Sequence, residues 1–322
     1  MLWLAAFLIA IFLLSVFFGR YPGPLLTSPG RLASDELAQR LVLNLRLPRL
    51  LTAVLLGMSL SAAGAVFQMI FGNPLVEPGF LGVSQGASFG AAFCIVFAIH
   101  SAWAVQISAA TFGLLGLGLS YWMARRVRFG GWVLRLVLAG IAVSALFSSA
   151  LGVLKYIADP LSQLPEITFW LLGGLSSITW PQFLSILPAV LVGLYIVYRM
   201  RWRLNLLSLN DETAFSLGAA PGRERTLLLI AAVVATSAVI SVAGMVTWVG
   251  LIIPHIARRL FSADARYVLP ASMLIGAIFT VICDDLARVI FPGEIPLGIL
   301  TSLIGAVVFI LLMIRQGNSI KE

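Results

Sequence analysis

Few residues in this chain have the type and spacing for chemistry, and those that do stand at the edges of apolar segments. In CDDLARVIFPGEIPLG (283–298), Asp284 and Arg288 are four residues apart, which puts a carboxylate and a guanidinium on one helix face and lowers the cost of both charges. Asp285 adds a second carboxylate, so the partner of Arg288 is open, with i,i+4 spacing favouring Asp284. In SLNDETAFSLG (208–218), Ser208 and Asn210 precede Asp211 and Glu212, and Gly218 follows; this is the pattern of a short helix with a polar cap, an acidic first turn and a glycine stop. Such a helix in a solvated loop points to docking of a partner. His100 and His255 lie far apart, and Cys94 and Cys283 sit in apolar segments without CxxC or Cys/His spacing, so neither a metal site nor a disulfide is expected. His255 follows Pro254 in TWVGLIIPHIARR, where it can satisfy carbonyls that the proline frees. No HExxH motif or phosphate-binding loop occurs in the sequence. Ion pairing and docking, rather than covalent catalysis, are the chemistry left to these residues.

The elements that must position them are apolar helices. The 322 residues are 60% hydrophobic and 11% charged, with a mean hydropathy of +1.03, far from a soluble domain. Apolar runs long enough to cross a hydrocarbon core recur along the whole length. Cutting at charges and at Pro/Gly clusters gives ten helices, near 2–18, 48–71, 81–99, 103–124, 132–157, 180–198, 226–244, 247–260, 267–290 and 297–314, the eighth being short for a full span. The first, LWLAAFLIAIFLLSVFF, lacks a basic lead and a small-residue cleavage site and is expected to be a retained helix rather than a signal peptide. The net charge of +8 comes from nineteen Arg and two Lys spread over short connections, without a basic stripe or a nucleic-acid module, so membrane orientation explains it and nucleic acid does not.

With the N-terminus in the cytoplasm, thirteen basic residues face inward and seven outward, and both termini are cytoplasmic. The inner set is Arg125, Arg126, Arg128, Arg199, Arg201, Arg203, Arg223, Arg225, Arg258, Arg259, Arg266, Arg315 and Lys321; the outer set is Arg20, Arg31, Arg40, Arg46, Arg49, Lys155 and Arg288, and Arg135 falls inside a span. Five of the seven outer charges lie between residues 20 and 49, which asks for an explanation of its own. Small residues in GMSLSAAG (57–64), and Gly82, Gly86 and Gly90 at four-residue intervals, allow close helix approach in a medium that gives helices no hydrophobic drive to associate. SAAGAVFQMIFGNP (61–74) and SVAGMVTWVGLIIP (241–254) share Ser, Ala-Gly, Val and Pro at one offset, a faint inverted repeat of the kind found in transporters.

Four stretches resemble the FecCD family, the permease subunits of ABC importers for ferric siderophores, haem and cobalamin. They are LRLPRLLTAVLLGMSLSAAGAVFQMIFGNPLVEPGFLGVSQGASFGA, LSLNDETAFSLGAAP, GMVTWVGLIIPHIARRL and DDLARVIFPGEIPLGILTSLIGAVVFILLM, in family order from about residue 40 to 314. The resemblance implies an all-α, ten-helix type II importer permease forming one transmembrane domain over residues 1–322, with a coupling loop at about 205–222. It implies a homodimer in a bacterial or archaeal plasma membrane, two cytoplasmic ABC ATPase subunits that carry ATP and Mg, and a periplasmic or lipoprotein binding protein. No enzyme activity, cofactor or metal belongs to the chain itself.

By position, Asn73 and Leu75 match the cytoplasmic gate. Arg46, Arg49 and Arg288 match the arginines that meet acidic residues of the binding protein, with Asp284 holding Arg288, which would explain the outward charge through steering. Asp211, Glu212, Ala214, Leu217 and Gly218 match the coupling helices that enter a cleft on the ATPase. Asn210 stands where the family has Gly, Cys283 where it often has Ala, and Glu77 has no assigned role. Two other readings remain at this stage: an oxyanion importer such as one for molybdate on the same architecture, and an ion-coupled secondary transporter, which would need midplane carboxylates.

Overall fold

The apolar runs fold as helices in a computed structural model that describes residues 1–19, 30, 34–97, 101–290 and 293–319, with side chains to 314. In chain order these are α1 (Leu2–Phe17), α2 (Glu36–Leu41), α3 (Leu47–Phe71), α4 (Val83–Phe97), α5 (Ala102–Arg126), α6 (Trp132–Ile157), α7 (Gln163–Leu172), α8 (Trp180–Arg199), α9 (Arg201–Leu207), α10 (Asp211–Ser216), α11 (Pro221–Ala243), α12 (Val249–Leu260), α13 (Ala265–Val289) and α14 (Leu297–Ser319). A π-helical turn, Val42–Arg46, joins α2 to α3, so that one helical stretch runs over Glu36–Phe71. Seven stretches among the described residues are long and apolar enough to cross a membrane, and α1 and α4 are shorter apolar helices. Each of the ten expected segments contains a helix, seven of them in stretches long enough to span, and three further helices, α2, α7 and α9, had no counterpart among them. Arg20, Arg31, His100 and Lys321 lie outside the described residues, as does the side chain of Arg315.

Burial sorts the helices into a centre and a rim. In the most apolar part of Glu36–Phe71 83% of residues are buried inside the protein, against 22% for α14, so α3 is the axis and α14 presents its face to lipid or to a partner. Glycine allows that centre to close. A methyl group on Gly57 would overlap the backbone of Gly276 on α13, and one on Gly64 would overlap the carbonyl of Gly250 on α12. The stripe Gly86 and Gly90 of α4 meets the carbonyls of Phe112 and Ser108 on α5 in the same way. Backbones this close gain dispersion contacts that lipid cannot replace, and Thr280 Oγ1 adds a hydrogen bond across α13 to the Ala53 carbonyl at 2.7 Å.

Between α11 and α12 the chain reverses inside the bundle. Gly244 has φ +68, and Trp248, at φ +74, is the one non-glycine residue in the left-handed region among those described. That conformation costs on the order of 1–3 kcal/mol; packing of Trp248 on Gly305 and on the Phe309 ring, 5.9 Å away, holds it. Irregular backbone at this depth needs partners within the protein. The Ala243 carbonyl accepts from Gly174 N at 2.8 Å, and the hydroxyls of Thr247 and Ser302 lie 3.0 Å apart. The two copies of the sequence echo therefore differ in backbone: 61–74 stays helical to Phe71, whereas 241–254 breaks after Ala243.

Candidate functional site

The residues singled out by type and spacing collect at two opposite ends of the bundle. At one end, helix start and helix stop meet: Arg49 opens α3, and Asp284, Asp285 and Arg288 close α13. Arg49 Nε donates to both Asp284 oxygens, at 2.9 and 3.1 Å, and Nη1 donates to both Glu294 oxygens, at 3.0 and 2.8 Å. Asp284 is fully buried, and Arg49 and Arg288 are nearly so. The i,i+4 contact read from the sequence exists, with Arg288 Nε 3.2 Å from Asp284, but it lacks hydrogen-bond geometry; Arg288 Nη2 donates to Asp285 instead, which also accepts from Ser15 Oγ. Arg49, from a helix more than two hundred positions away, is thus the main holder of Asp284, and only the tertiary fold brings it there.

Arg46 donates from Nη1 to the Val16 carbonyl at 3.1 Å, and Arg288 Nη1 donates to the Phe18 carbonyl at 3.2 Å, so both arginines satisfy backbone acceptors left open at the end of α1. Arg46 is half-buried, while Arg49 and Arg288 are neutralised inside the protein. Beside this cluster lies a cavity of about 430 Å³ lined by Arg49, Glu166, Trp170, Gln182 and Glu294 among others. Glu294 and α7, which bring Glu166 and Trp170 here, were not foreseen; their only sequence signal is a carboxylate set among Pro and Gly, and Asp159 before Pro160. Asp159 Oδ1 accepts from the amides of Leu161 and Ser162, both at 2.8 Å, which holds its carboxyl below the usual carboxylate range and turns the chain into α7.

At the other end, the turn after α3 begins at Gly72, whose φ of +59 ends the helix ahead of Pro74. Asn73 Oδ1 accepts from Leu75 N at 2.9 Å and closes the turn on itself, leaving the Leu75 side chain exposed. Glu77 is half-buried, and desolvation pushes its carboxyl above the usual range. Gln68, one turn back, donates to the Leu251 carbonyl at 3.0 Å and accepts from Arg258, tying this end of α3 to α12.

The short acidic helix forms where the pattern placed it. Asn210 caps α10, accepting from Thr213 N at 2.8 Å; Asp211 and Glu212 occupy the first turn, and Gly218 follows at φ +80. Ala214 is fully buried and seats the helix, while Phe215 and Leu217 are exposed. Arg225 at the start of α11 holds α10 in place: Nη1 donates to Asp211 at 2.5 Å and Nη2 to the Leu207 carbonyl at 2.8 Å. Nothing in the sequence marked Phe215, or gave Arg225 a role beyond its place in the inner basic set, since a basic residue in an inner loop is expected on orientation grounds alone.

The family model described as the FecCD transport family matches residues 7–315. The chain is 40% identical over 275 residues to the "Probable iron chelatin transport system permease protein" of Helicobacter pylori, covering 85% of this chain and 82% of that one. It is 39% identical to the molybdate import system permease protein MolB of Haemophilus influenzae, covering 85% and 81%. It is 38% identical to the hemin transport system permease protein HmuU of Yersinia pestis, covering 85% and 83%. Among solved structures, one described as an inward-facing ABC transporter of metal-chelate type superposes with a TM-score of 0.90 at 36% identity, over 97% of each chain.

Proposed function

The chain belongs to the FecCD transport family, and from that premise we propose that it carries a metal chelate, a ferric siderophore, haem or cobalamin, from a binding protein to the cytoplasm by alternating access. It is the membrane-spanning, multi-pass permease subunit of an ABC importer, and ATP is hydrolysed on a separate ATPase subunit. The observation that carries this reading is the match along nearly the whole chain, in sequence and in fold at once.

Several finer points belong to the proposal. The chain acts as one transport domain in a homodimer in a bacterial or archaeal plasma membrane, both termini cytoplasmic, with two ATPase subunits below that hold ATP and Mg; it needs no cofactor of its own. The end with Arg49 and Asp284 then faces the binding protein. Half-buried Arg46 lies at that rim, and buried Arg49, Arg288 and Asp284 give the rim its shape. Asn73 and Leu75 form the inner gate, supported by a turn that stiffens itself through the Asn73 side chain. Asp211, Glu212, Leu217 and Gly218 meet the ATPase, and Ala214 anchors them.

The test is enzymatic. The purified chain is expected to hydrolyse no ATP, and its complex with the ATPase of the same system is expected to do so; ATP binding by the isolated chain would sink the reading. Charge reversal at Arg46 should weaken docking of the binding protein. A second reading, import of an oxyanion, has the molybdate relative in its favour. Identification of the ligand that co-purifies with the binding protein decides between them. The ion-coupled alternative is set aside by the family match.

A further inference from the structure

The N-terminus of α13 is gripped by one amide. Asn205 on α9 donates from Nδ2 to Asp264 Oδ1 at 2.7 Å and accepts through Oδ1 from Ala265 N at 2.8 Å. Asp264 is the N-cap of α13 and also accepts from Arg266 N at 2.8 Å. Both halves of the Asn205 amide are therefore used, one on the cap side chain and one on a backbone donor that the helix leaves unpaired. Pro270 has no N–H for the Arg266 carbonyl, so the first turns of α13 hold themselves less firmly and lean on this grip.

The far end of the same helix carries Asp284, Asp285 and Arg288, bound to α1, to α3 and, through Arg49, to Glu294 ahead of α14. Between the ends, α13 lies against α3 with backbones in contact at Gly57 and Gly276 and with the Thr280 bond across them. A helix of 25 residues reaches about 37 Å, long enough to cross a hydrocarbon core. Asn205 itself stands on α9, whose Leu204 and Leu207 are fully buried, three residues ahead of the loop that Arg225 binds to α10.

We propose that Asn205 is a positioning residue that couples the outer charge cluster to the cytoplasmic docking helix α10, with α13 as the rigid strut between them. A shift of the cluster, when a binding protein engages that end, moves α13 as a body together with α3, to which it is pinned; the two-point grip passes the shift to α9 and so to α10. The proposal rests on the permease reading above and adds the route of the signal. The residue must be Asn, because Asp would lose the donor and set two carboxylates together, while Ala would lose both bonds.

The experiment uses the assembled transporter in lipid nanodiscs, and reads the ratio of ATPase rate with and without an excess of ligand-free binding protein from the same system. Asn205→Ala is expected to lower that ratio at least threefold. Asp264→Asn keeps an oxygen for both Asn205 and Arg266 N and is expected to keep the ratio. A wild-type ratio in Asn205→Ala overturns the proposal, and so does a proportional fall of both rates, which marks a fault in assembly. If the unaltered complex hydrolyses no ATP, the permease reading itself has failed, and the strut falls with it.

Discussion

Two arginines, Arg49 and Arg225, do the same chemistry at opposite ends of the molecule, and they do it in different surroundings. Arg49 is buried with Asp284, whose side chain is 0% exposed, whereas Arg225 is buried but its partner Asp211 is 67% exposed. At the Arg49 end, both charges have left water, so each depends on the other and the pair is fixed. At the Arg225 end, the carboxylate keeps most of its hydration, so the bond tethers α10 at little cost and can yield. One end is built to keep its shape and the other is free to yield.

Breaking the fixed end should have the largest effect. Asp284→Ala leaves Arg49 short of a carboxylate in a buried site and is expected to cost about 3–5 kcal/mol, read as a fall in thermal unfolding temperature in detergent. A similar but smaller loss, about 1–3 kcal/mol, is expected for Gly64→Val, because the new side chain must displace the Gly250 backbone on which α12 rests. Glu294→Gln keeps a hydrogen-bond acceptor on Arg49, and the native side chain is 42% exposed, so about 1 kcal/mol or less is expected. A loss as large as that of Asp284→Ala would show the cluster to be one indivisible unit.

The tethered end should respond in the opposite sense. Asp211→Asn is expected to change unfolding by less than about 1 kcal/mol, yet to reduce the ATPase rate of the assembled complex several-fold. Equal unfolding losses for Asp211→Asn and Asp284→Ala would erase the contrast between the two ends.

The smallest effect concerns acid. Hydrogen bonds from the Arg266 side chain, the Arg266 amide and Asn205 hold the Asp264 carboxyl well below the usual carboxylate range. Its contribution is therefore complete above the unfolded value of about 3.9 and is lost as pH falls below it. Unfolding curves between about pH 5 and pH 2.5 should show a steeper acid loss for the wild type than for Asp264→Asn, whose cap does not titrate.

How much of this was legible depended on whether a signal was local. Asn210, Asp211, Glu212 and Gly218 specify α10 through their own backbone neighbours, and the structure has that helix with Asn210 as its cap. Gly82, Gly86 and Gly90 announce close packing because a missing side chain can be read directly. The partner of Asp284 was not legible, since nothing near it in sequence marks Arg49, and the i,i+4 rule pointed to Arg288. Nor was α7, a ten-residue helix whose polar start, with Pro165 inside it and Pro160 just ahead, resembles a loop. The reversal at 244–248 was invisible for a related reason: the same Ser-Ala-Gly-Val pattern at 61–74 remains helical, so its surroundings, Gly305 and Phe309 among them, select the break.

The sequence by itself determined that the chain lives in a membrane, which segments are its main apolar helices and where small residues let them touch, because hydropathy and residue size act within a single segment. Tertiary structure alone decided which charges neutralise which, and therefore that Arg49 and Arg288 lie buried against carboxylates; it also left Arg46 half-buried at the rim. The physical reason is that Coulomb and hydrogen-bond energies depend on separation in space, and the distances joining residue 49 to residues 284 and 294 exist only after the helices have packed.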